Sequence, residues 1–213
     1  MNKGSRIVLA LDETDKKKAL HVADEVGDLV DAIKINWPLV LSGGPDMITE
    51  LSRRSPVICD FKVADIPNTV RLIAEQAFSR GASGLIVHAF TGSDSLKSAI
   101  EVAGGRDVFV VTEMSHPGGR EFTAPLAEEF AAMAVNEGAS GVIAPATRPD
   151  RIAAIRKIIG DLLILSPGVG AQGGSISSAI RNGADRIIVG RSIYNAENPR
   201  EVTESLIKEI ASS

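Results

Sequence analysis

Apolar residues in this chain come in short continuous runs rather than in alternation. The runs are "IVLAL" from Ile7, "AIKI" from Ala32, "PVIC" from Pro56, "GLIVHA" from Gly84, "VFVV" from Val108, "GVIA" from Gly141, "LLIL" from Leu162 and "RIIV" from Arg186. Each is strand-sized and most are rich in β-branched residues. They recur at intervals of roughly 20–30 residues. Continuous apolar character suits parallel strands covered on both faces. Between the runs the spacing turns helical: Val70, Ile73 and Ala77; Ile152, Ile155 and Ile159; Ile176 and Ile180. Gly27, Gly81, Gly138, Gly160 and Gly183 stand where such helices would stop. "GASGLIV" at 81–87, "GASGVIA" at 138–144 and "GADRIIV" at 183–189 repeat one device, a helix stop, a turn and a buried strand.

Eight strand-then-helix units predict an α/β protein, a (β/α)₈ or TIM barrel, as a single domain over residues 1–213. An open doubly wound sheet is the alternative. The count of eight and the lack of any composition break favour the barrel. The chain is 44% hydrophobic and 23% charged, an ordinary globular balance, and long enough for a sizeable core. Its net charge of -4, with no face obviously basic, argues against nucleic acid or an anionic membrane as main partner. Residues 1–6 lack the apolar core of a signal peptide, and no run reaches the length of a bilayer span. The single cysteine, Cys59, sits in an apolar run and reads as a small buried side chain. A reducing, cytoplasmic setting is expected.

In a barrel the chemistry gathers at the C-terminal ends of the strands. There stand Asp12 after the first run, Lys34 in the second, and Asp60 and Lys62 at the end of the third. His88 closes the fourth, and Glu113 and Ser115 follow the fifth. Asp60 and Lys62 are two apart, so a regular strand points both to one face. Asp65 lies past the strand and must be placed by the loop. A lysine beside carboxylates keeps its proton and is a proton donor in waiting. A fixed carboxylate nearby repels an anionic group on a substrate, which suits a reaction in which a carboxylate leaves. The plainer alternative is an ion-pair network closing a barrel layer. It suits one Asp–Lys pair better than it suits Lys34, Asp60, Lys62 and Asp65 together. Asp12 and Lys34 would hold sugar hydroxyls, or Lys34 would pair with Asp60; the plainer alternative is a surface salt bridge of little worth.

A second group reads as an anion site. "SPGVGAQGG" follows the seventh run, and "VGR" supplies Gly190 and Arg191 after the eighth. These are the loops where barrels commonly bind phosphate. Arg191 can pair with two phosphate oxygens, and a helix from about Ser192 would add its N-terminal dipole. Residues 168–173 also match G-x-G-x-x-G, but after the seventh strand and with no acid closing the next, so a dinucleotide is disfavoured. His21 is expected to be solvated. His88 and His116 lack further ligands at metal spacing. Glu113 could hold a hard cation with Asp60, or pair with a rim lysine. Trp37 is expected to pack rather than to stack on a base.

"DFKVADIPNT" at 60–69 resembles the D-x-K-x-x-D signature of the orotidine 5'-monophosphate decarboxylase suprafamily. The resemblance runs from "LALD" at 9–12 to "VGRSIY" at 189–194. It implies a cofactor-free decarboxylation of orotidine 5'-monophosphate (OMP) to UMP, the last step of pyrimidine synthesis, with no metal. Mg²⁺-dependent sugar-phosphate decarboxylases and aldolases share the triplet. They carry an acid where this chain has Lys34. By resemblance, Lys34, Asp60, Lys62 and Asp65 form an alternating charge network, with Lys62 the proton donor. Asp12 and Lys34 bind ribose, Ser115 the pyrimidine, and Pro167 lines the loop. Gln172, Gly190 and Arg191 hold phosphate, with Gln172 bridging toward Ser115. The resemblance also implies a homodimer in which Asp65, Ile66 and Thr69 reach the neighbouring site. It leaves Arg120, His88 and Glu113 without a role.

Overall fold

The structure is a computed structural model that describes residues 4–170 and 172–213. Its strands are β1 (Ile7–Leu11), β2 (Ala32–Ile35), β3 (Val57–Val63), β4 (Gly84–His88), β5 (Asp107–Val111), β6 (Gly141–Ile143), β7 (Leu163–Ser166) and β8 (Arg186–Val189). All pair in parallel in chain order, and β8 closes on β1 through Ile7–Ile187, Val8–Ile188 and Leu9–Val189. This is the expected (β/α)₈ barrel, and the open sheet is excluded. Strand ends fall within a residue or two of the apolar runs, except that β3 continues to Val63.

The helices turn inward the stripes their spacing predicts, although Ile73 and Ile180 are only partly buried. Pro67–Ser79 turns Val70, Ala74, Ala77 and Phe78 inward, and Pro149–Ile159 turns in Ile152, Ile155 and Ile159. Proline opens both, where its missing N–H costs nothing. Gly81, Gly138, Gly160 and Gly183 all have positive φ, as helix stops should. Gly27 differs: its φ is -61°, and the constraint there is space, since an added Cβ would lie 2.6 Å from the Ala23 carbonyl.

Two apolar layers result. One packs helices on the outside of the barrel; the other fills its inside with residues such as Ala10, Ala32, Ile58, Ile86, Val111 and Ile188. Because side chains alternate along a strand, the next inward position beyond each of these is Asp12, Lys34, Asp60, His88, Glu113 and Gly190. The apolar plug therefore ends in a ring of polar positions. Cys59 points the other way, and burial followed by the nearby Asp60 charge pushes its thiol up to about 12, which leaves it inert.

Candidate active site

Asp60 is the hub. Lys34 Nζ lies 2.8 Å from its Oδ2, and Lys62 Nζ donates to its Oδ1 at 2.7 Å. Asp12 Oδ1 stands 3.9 Å from Lys34 on the far side. Charges therefore alternate from Lys62 through Asp60 and Lys34 to Asp12. Burial opposes the charge on Asp60, but Lys34 and Lys62 outweigh it and hold the carboxyl below its usual range. Burial likewise opposes the charge on Lys34, and Asp60 and Asp12 outweigh it, leaving its pKa raised. Lys62 is the more exposed lysine, with 31% of its side chain accessible against 6% for Lys34, so its ammonium borders open space. Asp12 Oδ1 is buried without a hydrogen-bond partner among the described residues, an acceptor left for a hydroxyl.

Asp60 and Lys62 do meet, but not by the regular alternation that their spacing suggests. Cys59 pairs with Leu85 and Val63 with Val87, so β3 advances four residues while β4 advances two. Within this bulge Lys62 adopts φ 44°, a left-handed backbone that side chains rarely take.

A cavity of about 450 Å³ opens over the barrel at this rim. It is lined by Asp12, Lys34, Asp60, Lys62, Ser115, Pro167, Gln172, Gly190 and Arg191. Asp65, Ile66 and Thr69 do not line it. Asp65 and Ile66 sit exposed at the start of the helix after β3, with Ile66 65% accessible. The Asp65 carboxylate accepts the Ile66 N–H at 2.7 Å, and its carbonyl accepts from Ser95 Oγ at 2.7 Å.

The turn after β7 is closed by Gly173 N–H to Gly170 O at 2.8 Å and by Gly174 N–H to Gly168 O at 2.9 Å. Ala171, inside the G-x-G-x-x-G match, lies outside the described residues. The next helix, Ile176–Arg181, starts only beyond the match, unlike a dinucleotide turn that opens a helix directly. A Cβ added to Gly168 would lie 3.4 Å from Gln172 Oε1 and 3.5 Å from Ser115 Cβ, which brings those two side chains to one spot. The helix expected near Ser192 is a single turn, Arg191–Tyr194, so its dipole is small and the Arg191 guanidinium is the main charge there.

Glu113 pairs with neither Asp60 nor a rim lysine. Its fully buried carboxylate is held by Arg148 and by Arg151 Nε at 2.9 Å. Arg148 also donates to the Met114 carbonyl, and Thr147 Oγ1 donates to that of Ser115 at 3.2 Å. Glu113 thus anchors the segment that carries Ser115, through an arginine that the sequence did not single out. Other cavity residues were overlooked, Asn36 and Tyr194 among them. Asn36 is the next inward position after Lys34, and Tyr194 lies three residues from Arg191 on its helix turn, so both periods could have found them. His21, His116 and Arg120 are exposed. His88 is half-buried, its ring 4.9 Å from that of Phe90. Burial, with help from Lys62, lowers its pKa to about 4. Trp37 packs, as expected, stacking on Phe61 at 4.5 Å. Among the described residues no group of three or more His, Cys, Asp and Glu is placed to hold a metal ion, and no helix is long and apolar enough to cross a membrane.

Fold and rim together define a barrel enzyme whose site combines a lysine–carboxylate network with an arginine. The chain belongs to the orotidine 5'-phosphate decarboxylase / HUMPS family, whose model matches residues 5–206. It is 59% identical over 213 residues to the orotidine 5'-phosphate decarboxylase of Methanococcoides burtonii, covering 99% of each chain. The Pyrococcus furiosus enzyme of the same name is 47% identical, over 96% of this chain and 97% of that one. Among solved structures, orotidine 5'-monophosphate decarboxylase from Methanocaldococcus jannaschii, complexed with the inhibitor BMP, superposes with a TM-score of 0.91 at 42% identity, covering 96% of this chain and 97% of that one.

Proposed function

We propose that this chain decarboxylates orotidine 5'-monophosphate to UMP, the last step of pyrimidine nucleotide synthesis, without metal or organic cofactor. One observation carries the reading: the Lys62 ammonium, 2.7 Å from a buried carboxylate, borders a cavity that also holds Arg191. The phosphate would sit at Arg191, Gln172 and Gly190, the ribose hydroxyls at Asp12 and Lys34, and the pyrimidine against Ser115 and Pro167.

In that pose the bond from C6 to the carboxylate breaks and CO₂ departs. The electron pair stays on C6, where Lys62 Nζ–H delivers a proton. The carbanion gains little from resonance, so the enzyme must remove about 20 kcal/mol or more of barrier. One well-placed donor supplies about 3–4 kcal/mol. The remainder needs several sources. Lys62 stabilises the developing charge, Asp60 disfavours the substrate carboxylate, and phosphate binding remote from C6 contributes in the transition state.

We further propose that the whole chain, 1–213, works as one barrel domain and pairs into a homodimer. Asp65, Ile66 and Thr69 would then complete the neighbouring cavity. Support comes from the exposure of Ile66 and from Leu41 and Phe90, large apolar side chains that are 80% and 58% accessible. A cytoplasmic setting fits the reading, since a charged nucleotide does not cross lipid.

A Mg²⁺-dependent sugar-phosphate decarboxylase or aldolase is not favoured. Lys34 occupies the acid's place beside Asp60, and Glu113 is already neutralised by two arginines. The deciding experiment follows the loss of OMP absorbance with purified protein, with and without EDTA. Rapid loss that ignores the chelator is expected. No loss from folded protein would overturn the reading.

A further inference from the structure

We propose that Trp37 is a positioning residue for Lys62, acting through the peptide that joins Phe61 to Lys62. The inference rests on the reading of Lys62 as proton donor.

Two non-glycine residues among those described have positive φ, Arg6 at 60° and Lys62 at 44°. Side chains disfavour this backbone, so the surroundings must hold it. Arg6 is held by its own guanidinium, which donates to the carbonyls of Asp185 at 3.0 Å and Ala184 at 2.7 Å. Lys62 has no such recourse, because its ammonium is turned to Asp60.

The angle φ of Lys62 is the rotation about its N–Cα bond, so it governs the tilt of the Phe61–Lys62 peptide plane against the Lys62 side chain. The carbonyl of that peptide accepts a hydrogen bond from Trp37 Nε1–H at 3.2 Å. The same indole stacks on the Phe61 ring, with centroids 4.5 Å apart and planes 24° from parallel. Trp37 therefore grips Phe61 at both its ring and its carbonyl. The indole is itself anchored, since Trp37 opens the helix Trp37–Gly43 and its backbone N–H is capped by Asn36 Oδ1 at 2.7 Å. Release of the grip lets the peptide relax toward ordinary strand geometry. The Lys62 Cα–Cβ bond then turns, and Nζ leaves the position from which it reaches both Asp60 and C6.

Trp37→Phe keeps a ring for the stack and removes the donor; Trp37→Leu removes both. Each variant is assayed at a concentration where it sediments with the wild-type mass, and UMP binding is titrated by calorimetry. Trp37→Phe is expected to lower kcat about tenfold, and Trp37→Leu about 100-fold. UMP affinity should stay within about twofold and its stoichiometry should be unchanged, because binding does not require a poised proton donor. A kcat for Trp37→Phe within twofold of wild type overturns the proposal. So does a fall in kcat matched by loss of UMP sites, which marks a structural role. If Trp37→Leu does not fold, Trp37→Phe decides alone. A wild-type protein that does not decarboxylate OMP sinks the decarboxylase reading instead.

Discussion

Lys62 meets Asp60 at 2.7 Å across a bulge in β3, and it is the more exposed of the two. The exposure difference separates their roles. Lys62→Ala removes a group at the cavity edge and should leave the fold intact. It should lower kcat by about 10²–10⁴-fold or more, the range for a lost general acid. Near-normal turnover in a properly folded variant would rule out the proton-donor role.

Asp60→Asn should behave differently, because it leaves two ammonium groups around a neutral amide. Breaking such a buried arrangement costs about 3–5 kcal/mol. Urea unfolding should show that loss alongside the loss of activity. A variant that is inactive yet as stable as wild type would contradict the hub role.

His88 sets an acid limit on stability. Its pKa falls from 6.5 in the unfolded chain to about 4 in the fold, chiefly through burial. The unfolded chain therefore takes up the proton first as pH drops. The stability this group contributes is complete above 6.5 and is lost as pH falls from 6.5 toward 4. Asp60, with its pKa lowered, adds a loss below the ordinary carboxylate range. Lys34, with its pKa raised, contributes below the ordinary lysine value and loses that contribution only as pH rises through its folded pKa. Urea midpoints measured from pH 8 to 4 should fall below 6.5, and His88→Gln should flatten that fall.

Arg191 should matter only to substrates that carry phosphate. Arg191→Ala is expected to lower kcat/KM for OMP by about 10²-fold, in line with a lost charge-assisted bidentate pair worth roughly 3 kcal/mol. The slow reaction of the unphosphorylated nucleoside should change less than about twofold. Equal losses on both substrates would place Arg191 at the reacting end instead.

Asp65 tests the shared site. Asp65→Ala and Lys62→Ala, each inactive, should regain up to about a quarter of wild-type activity when mixed, unfolded and refolded together. One hybrid site would then carry both native residues, by dimer symmetry. No recovery would mean that each chain completes its own cavity.

The barrel was legible because its strands are continuous apolar runs at a steady interval, and because helical stripes such as Ile152, Ile155 and Ile159 are unbroken. The rim was legible because alternation carries the inward face from Ile58 to Asp60 and from Ala32 to Lys34. What escaped depends on local departures or distant partners. The spacing of Asp60 and Lys62 gave the right neighbours for an incomplete reason, since no residue type announced the bulge at Lys62. Glu113 was misread because its partners, Arg148 and Arg151, lie just before and within a helix more than thirty residues away. Gly27 had the look of a left-handed stop and serves close packing.

The closure of β8 on β1 has a mechanical meaning as well. Asp12 follows the first strand and Arg191 follows the last, yet both line one cavity. The seam of the barrel, held by three register pairs near the two ends of the chain, thus runs beneath that cavity. A nucleotide touching both residues is a clasp across that seam. Occupancy should slow amide exchange in β1 and β8 more than in β4 and β5, so that the substrate holds shut the joint that formed its own binding place.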